Sequence, residues 1–154
     1  MTDLATKALE SLPHGPEFRF IDKLVRLEPG KAGTGEYTIR ADAHFLKGHF
    51  PGNPLFPGVL LVEAAAQLAG TVAQSDPDLP PMPGLKLTAM KGVKIYGSAK
   101  PGEVIQLEAY ITGRLGNLVQ ARTMAFVDKQ MVLQAEITLS GEVNTNGPVN
   151  SGQA

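Results

Sequence analysis

The sequence predicts an α+β fold in which five or six antiparallel strands wrap one long apolar helix, and three features of its 154 residues carry that prediction. The first is the stretch "GHFPGNPLFPGVLLVEAAAQLAG" (48–70), whose second half reads as a helix that is apolar on every face. A helix without a polar side in a soluble protein is buried on most sides. The second is a set of segments with period-two alternation, the pattern of strands. The third is the shortness of the links "RLGN" and "DKQ", which cannot hold a parallel crossover and therefore join antiparallel neighbours. Curling the sheet around the helix is the simplest way to bury it.

Taken in order, "TDLATKALESLP" reads as a short amphipathic helix capped by Thr2 or Asp3, with Leu4, Ala8, Leu9 and Leu12 on one face and Pro13 as its stop. "FRFIDKLVRLEPG" reads as a strand ending in the turn Glu28-Pro29-Gly30, and "GEYTIRA" as a second strand alternating Tyr37 and Ile39 with polar residues. Pro51, Pro54 and Pro57 keep 50–57 out of regular structure. The core helix then runs from Gly58 to about Gln74, where "SDPDLPPMPG" ends it. "LKLTAMKGVKIYG" is a strand with an irregularity at Gly92. "EVIQLEAYITG", "NLVQARTMAFV" and "MVLQAEITLS" form an antiparallel meander, with Ile105, Leu107, Ala109 and Ile111 alternating against Gln106, Glu108, Tyr110 and Thr112. Residues 1–141 are thus expected to form a single domain, with 142–154 a loose tail poor in anything to bury.

Composition narrows the function classes. Hydrophobic residues make up 43% and charged residues 19%, a globular profile. A formal net charge of -1 gives no field suited to nucleic acid. There is no cysteine, hence no disulfide, thiolate metal site or cysteine nucleophile. No His, Asp and Glu set has metal-ligand spacing and no glycine-rich phosphate loop is present, so neither metal nor cofactor is expected. The N-terminus lacks the layout of a secretory signal. The longest apolar run, Val59–Gly70, carries Glu63 and Gln67 and is too short to span a bilayer. A soluble cytoplasmic protein is expected.

The chemistry lies in the 48–70 stretch. Burying a carboxylate costs several kcal/mol or favours its neutral form, and Glu63 has no Lys or Arg within one helical turn. A carboxyl kept neutral is a proton donor, as a general acid must be. Gln67, one turn on, shares its face. His49, in a loop stiffened by prolines, suits a general base. The helix start at Gly58 offers free N–H groups to a carbonyl oxygen gaining charge. Base, acid and amide donors together suit dehydration of a 3-hydroxyacyl thioester: proton removal alpha to the carbonyl, stabilised enolate-like charge, and protonation of the departing beta-hydroxyl. Residue by residue, plainer readings stand beside this one: Glu63 at an interface, His49 structural, and "PGNPLFPG" as a P-x-x-P recognition segment.

The whole block resembles the signature of bacterial 3-hydroxyacyl-[acyl-carrier-protein] dehydratases of the short Z type. "LESLPHGPEFRFIDKLVRLEPGK" resembles that family's opening, "KPGEVIQLEAYI" its "VPGDQLRLEVEL", and "AEITLS" its final strand, so the likeness runs from Leu9 to Ser140. The resemblance implies a hot-dog fold and a homodimer, often a trimer of dimers, with each active site at the dimer interface. It places the catalytic histidine on His49, the catalytic glutamate on Glu63 of the opposite chain, and the backbone donor on Gly58, with Gln67, Pro57 and Val59 in support. It implies conversion of (3R)-3-hydroxyacyl-[acyl-carrier-protein] to the trans-2-enoyl form in fatty acid biosynthesis, with no membrane span. An acyl-thioester hydrolase on the same fold and a non-catalytic acyl-binding protein are the alternatives.

Three departures accompany the likeness. Gly15 stands where the family has arginine, His44 where it commonly has proline, and "LTAMKGVKIYGSA" replaces the family's "FAGIDKARFRKPV" without its aromatic start. His14 matches the opening motif and reads as structural, and His44 as a loop residue. Lys91, Lys94, Lys100 and Arg122 form a candidate basic patch for an acidic acyl carrier protein.

Overall fold

The computed structural model describes residues 3–142. The expected tail lies outside them except for Glu142. Helix α1 (Asp3–Glu10) leads through a 3-10 turn (Pro16–Phe18) to β1 (Lys23–Glu28) and β2 (Ala32–Thr38). A second 3-10 turn (His44–Leu46) precedes the central helix α2 (Gly58–Ala73), followed by β3 (Lys86–Ile95), β4 (Val104–Leu115), β5 (Leu118–Val127) and β6 (Gln130–Ser140).

All six strands form one antiparallel sheet in the order β1-β2-β4-β5-β6-β3. The short links are two-residue hairpins. Asp128 and Lys129 both take left-handed backbone, at φ 49° and 65°, the geometry whose twist matches the flanking strands.

The sheet curls around α2, which touches β2, β3, β4, β5 and β6. Ile105, Leu107 and Ala109 of β4, Val119, Ala121 and Ala125 of β5, and Leu133, Ala135, Ile137 and Leu139 of β6 point inward and are buried. Ala64, Ala65, Ala69 and Ala73 on α2 are small enough to let the strands close over them. The approach is closest at β2, where a Cβ on Gly33 would lie 2.7 Å from Val72 Cγ2. Arg114 of β4 secures the far end of the helix, donating to the carbonyls of Ala73 (3.1 Å) and Pro80 (2.9 Å). No helix among the described residues is long and apolar enough to cross a membrane.

Two strands differ from the sequence reading. Phe18 to Ile21 was expected to open β1, but forms a 3-10 turn and an irregular segment whose Phe20 and Ile21 are buried. The second strand starts at Ala32 and ends at Thr38, taking in the glycines that look like a turn. They serve helix packing instead. The irregularity expected at Gly92 is a bulge: Lys91 pairs with Glu136 and Lys94 with Gln134, so Gly92 (φ 60°) and Val93 together oppose Ala135.

Candidate active site

His49 sits in the loop before α2, and its pose is fixed twice. Leu55 N–H donates to the His49 carbonyl (2.8 Å), and the His49 Nδ1 lies 2.9 Å from the Leu55 carbonyl. A carbonyl only accepts, so Nδ1 carries the proton and Nε2 keeps its lone pair. Phe50 and Asn53 exchange backbone hydrogen bonds (3.0 and 2.9 Å), and Phe56 N–H is tied to Ala99 O at 2.8 Å. The ring stacks on Phe50 with centroids 4.2 Å apart.

The same loop delivers the helix start. Pro57 caps α2, its carbonyl accepting from Leu60 (2.9 Å) and Leu61 (3.3 Å) N–H. Gly58 and Val59 N–H precede the first helical bonds and have no acceptor among the described residues. Gly58 packs close to β3: a Cβ there would stand 2.9 Å from Cδ1 of Ile95, the tip of a half-exposed side chain. Val59 is 74% exposed, an apolar side chain left in the open beside those free amides.

Glu63 is one turn further along α2. Its Oε1 lies 3.3 Å from His14 Nε2 and 3.3 Å from Gln67 Nε2. Gln67 has stronger bonds elsewhere: Nε2 donates to Phe18 O at 2.8 Å and Oε1 accepts from Phe20 N–H at 2.9 Å. Its main partner is thus the backbone of the segment before β1, with Glu63 third. That segment and α2 enclose a cavity of about 60 Å³, walled by Leu12, His14, Glu63, Gly70, Leu85 and Leu139 among others.

Within one chain His49 is not part of that cavity wall. The loop-and-helix-start group and the Glu63 group face separate spaces on the same helix. His44 is an exposed residue of the second 3-10 turn, its ring 5.8 Å from Phe45. Lys91 and Lys94 are exposed on β3, and Lys100 in the following loop, where its N–H bonds Glu103 Oε1 at 2.8 Å. Arg122 is drawn elsewhere, over the Tyr110 ring at 5.5 Å. Strand register places Tyr110, Arg122, Glu136 and Lys91 in one row across the outer face, alternating charge rather than accumulating it. Sequence reasoning passed over His14 as a partner of Glu63. The two are far apart in the chain, and only the fold of the segment before β1 onto α2 joins them.

A six-stranded antiparallel sheet wrapped about one central helix is the hot-dog arrangement, and here His49 and Glu63 lie before that helix and along its first turns. The chain belongs to the FabA-like domain family, whose pattern matches residues 12–136. It is 33% identical over 129 residues to a 3-hydroxyacyl-[acyl-carrier-protein] dehydratase FabZ of Alkaliphilus metalliredigens, covering 84% of this chain and 87% of that protein. A FabZ of Ruminiclostridium cellulolyticum is 36% identical over 128 residues, covering 83% and 89%. Among solved structures, the dehydratase heterocomplex ApeI:P from Xenorhabdus doucetiae superposes with a TM-score of 0.73 at 12% identity, covering 87% of this chain and 90% of that one. At that identity the likeness is one of fold.

Proposed function

We propose that this protein is a cytoplasmic 3-hydroxyacyl-[acyl-carrier-protein] dehydratase of fatty acid biosynthesis, acting as a homodimer with each active site shared between chains. The observation that carries the reading is the His49 Nδ1 bond to the Leu55 carbonyl, which leaves Nε2 as a base in the same loop that presents the Gly58 amide. His49 Nε2 takes the alpha proton of the (3R)-3-hydroxyacyl thioester. Gly58 N–H receives the charge that develops on the thioester oxygen. Glu63 of the opposite chain gives a proton to the beta-hydroxyl, which leaves as water, and the trans-2-enoyl thioester remains. The imidazolium and carboxylate then return to their starting protonation, so the cycle balances without a cofactor.

Two features support completion by a second copy. The outer edge of β3 is unpaired among the described residues, and around it Met90, Val93, Ile95 and Tyr96 are exposed. An open edge with apolar side chains is a ready pairing surface. Ile95 also lies against Gly58, so that edge adjoins the helix start. Moreover, a cavity of about 60 Å³ is well under the roughly 300 Å³ at which ligand pockets begin; a partner wall would extend it into an acyl channel. Three such dimers form the proposed hexamer. Lys91, Lys94 and Lys100 supply the positive charge proposed to meet the acidic carrier, with Arg122 at its margin.

The test is incubation with a 3-hydroxyacyl thioester, following enoyl absorbance and free thiol separately. Enoyl formation that is lost in His49→Ala and Glu63→Gln is the expected result. Thiol release without enoyl product would assign a hydrolase, and binding without turnover an acyl-binding protein.

A further inference from the structure

We propose that His14 is a positioning residue for Glu63: it fixes Oε1 of the carboxyl, so that Oε2 is the oxygen that handles the proton. This rests on the dehydratase reading above and adds a residue which that reading does not use.

The geometry is asymmetric. His14 Nε2 and Gln67 Nε2 both reach Oε1, each at 3.3 Å, and Oε2 has no hydrogen-bond partner among the described residues. The Gln67 amide gives one N–H to Phe18 O at 2.8 Å and its second to Glu63 at the longer 3.3 Å, so its hold on the carboxyl is the weaker of its two bonds. A glutamate with three side-chain torsions and 24% exposure keeps its orientation only with a second tether.

The imidazole is itself well placed to be that tether. It stacks near Phe18, with centroids 6.2 Å apart and planes 27° from parallel. Arg19 Nη2 staples the segment, donating to Leu12 O (3.2 Å) and His14 O (3.5 Å). His14 Nδ1 is buried with no partner. A proton there would be a buried donor without an acceptor, so the tautomer that fits carries its proton on Nε2, toward Glu63. One ring nitrogen is left idle and the other is aimed at the proposed acid. Such an arrangement serves direction more than packing.

The test is steady-state dehydration by the full-length protein with His14→Phe, which keeps ring bulk without a donor, and His14→Gln, whose amide nitrogen sits near the place of Nε2. Positioning within an ångström is worth up to about 100-fold in rate. H14F is expected to lose about 10- to 100-fold in kcat with KM within about threefold of wild type. H14Q is expected to recover to within about threefold, with both unfolding temperatures near wild type. If H14F does not fold, His14→Asn, one bond shorter, replaces it against H14Q. Wild-type kcat in H14F, equal impairment of H14F and H14Q, or a loss confined to KM and unfolding temperature would each overturn the positioning role. Glu63→Gln, measured in parallel, separates the two levels: full activity there overturns the dehydratase reading itself, whereas an inactive E63Q beside an unaffected H14F overturns the role of His14 alone.

Discussion

The Gln67 side chain behaves as a strand neighbour to Phe20: its Oε1 accepts the Phe20 N–H at 2.9 Å while its Nε2 donates to Phe18 O at 2.8 Å. Both Gln67 and Phe20 are almost fully buried, at 2% and 1% exposure. Replacing Gln67 by Leu keeps the volume but strands a buried N–H and a carbonyl, at about 1–3 kcal/mol for each unmet group. At about 2–4 °C per kcal/mol for a chain of this size, the unfolding temperature should fall by roughly 5–15 °C. Thermal unfolding followed by circular dichroism checks this, and a shift within about 2 °C of zero would show the amide to be dispensable.

Gly33 and Val72 are a matched pair, a glycine in β2 making room for a methyl of α2 at 2.7 Å from where a Cβ would stand. Gly33→Ala should destabilise by about 1–3 kcal/mol through overpacking. Adding Val72→Ala removes the clash, so the double variant should cost less than the sum of the single ones by about 1 kcal/mol or more. Urea titrations of all four proteins measure the coupling; strict additivity would contradict the contact.

Tyr37 is packed against Phe20 and Phe56 at 4% exposure. Its phenol is pushed above the usual tyrosine value, first by burial, with the nearby Arg40 guanidinium pulling the other way. The native state therefore holds this proton more tightly than the unfolded chain. That contribution to stability is intact below about pH 10, where unfolded tyrosine titrates, and is lost as pH rises through the higher folded value. Urea midpoints from pH 8 to 11 should fall more steeply above pH 10 for wild type than for Tyr37→Phe. Parallel curves would rule out this source.

Gly70 lines the cavity below Glu63, and a Cβ there would meet Leu85 Cδ2 and Leu139 Cδ1 at 3.7 Å, an ordinary contact. Gly70→Ala should therefore fold, and gain up to about 1 kcal/mol from helix propensity. If this cavity is the near end of the acyl channel, the same methyl should cut kcat/KM for long acyl chains by about 10-fold while short ones lose little, since one methyl(ene) in a pocket is worth about 10–200-fold. A uniform loss across chain lengths would place the channel elsewhere.

Most of the architecture could be read from the sequence because it is written in periodicity. The all-round apolar helix, the alternation in β4 to β6 and the two-residue links each have a local cause. What escaped notice depends on distant partners. The 18–21 segment has strand-like composition, but its hydrogen bonds go to a glutamine on α2. Gln74 repeats the device at the other end of the helix, pairing both amide atoms with the backbone of Met82 at 2.6 and 2.9 Å. Gly33 and Gly35 look like a turn until the helix they admit is in place. For the site, His49 and Glu63 stood out as polar residues in an apolar or proline-bound stretch, whereas the contact of His14 with Glu63 exists only after folding.

The most direct test of a site shared between chains is subunit mixing. His49→Ala and Glu63→Gln proteins, each inactive alone, are combined in equal amounts, dissociated and allowed to reassociate. In a mixed dimer one site unites the intact His49 of one chain with the intact Glu63 of the other, and random reassortment across a two-fold interface should restore about a quarter of wild-type dehydration per chain. No recovery, with mixed dimers shown to have formed, would mean that base and acid serve within a single chain, contrary to the arrangement proposed here.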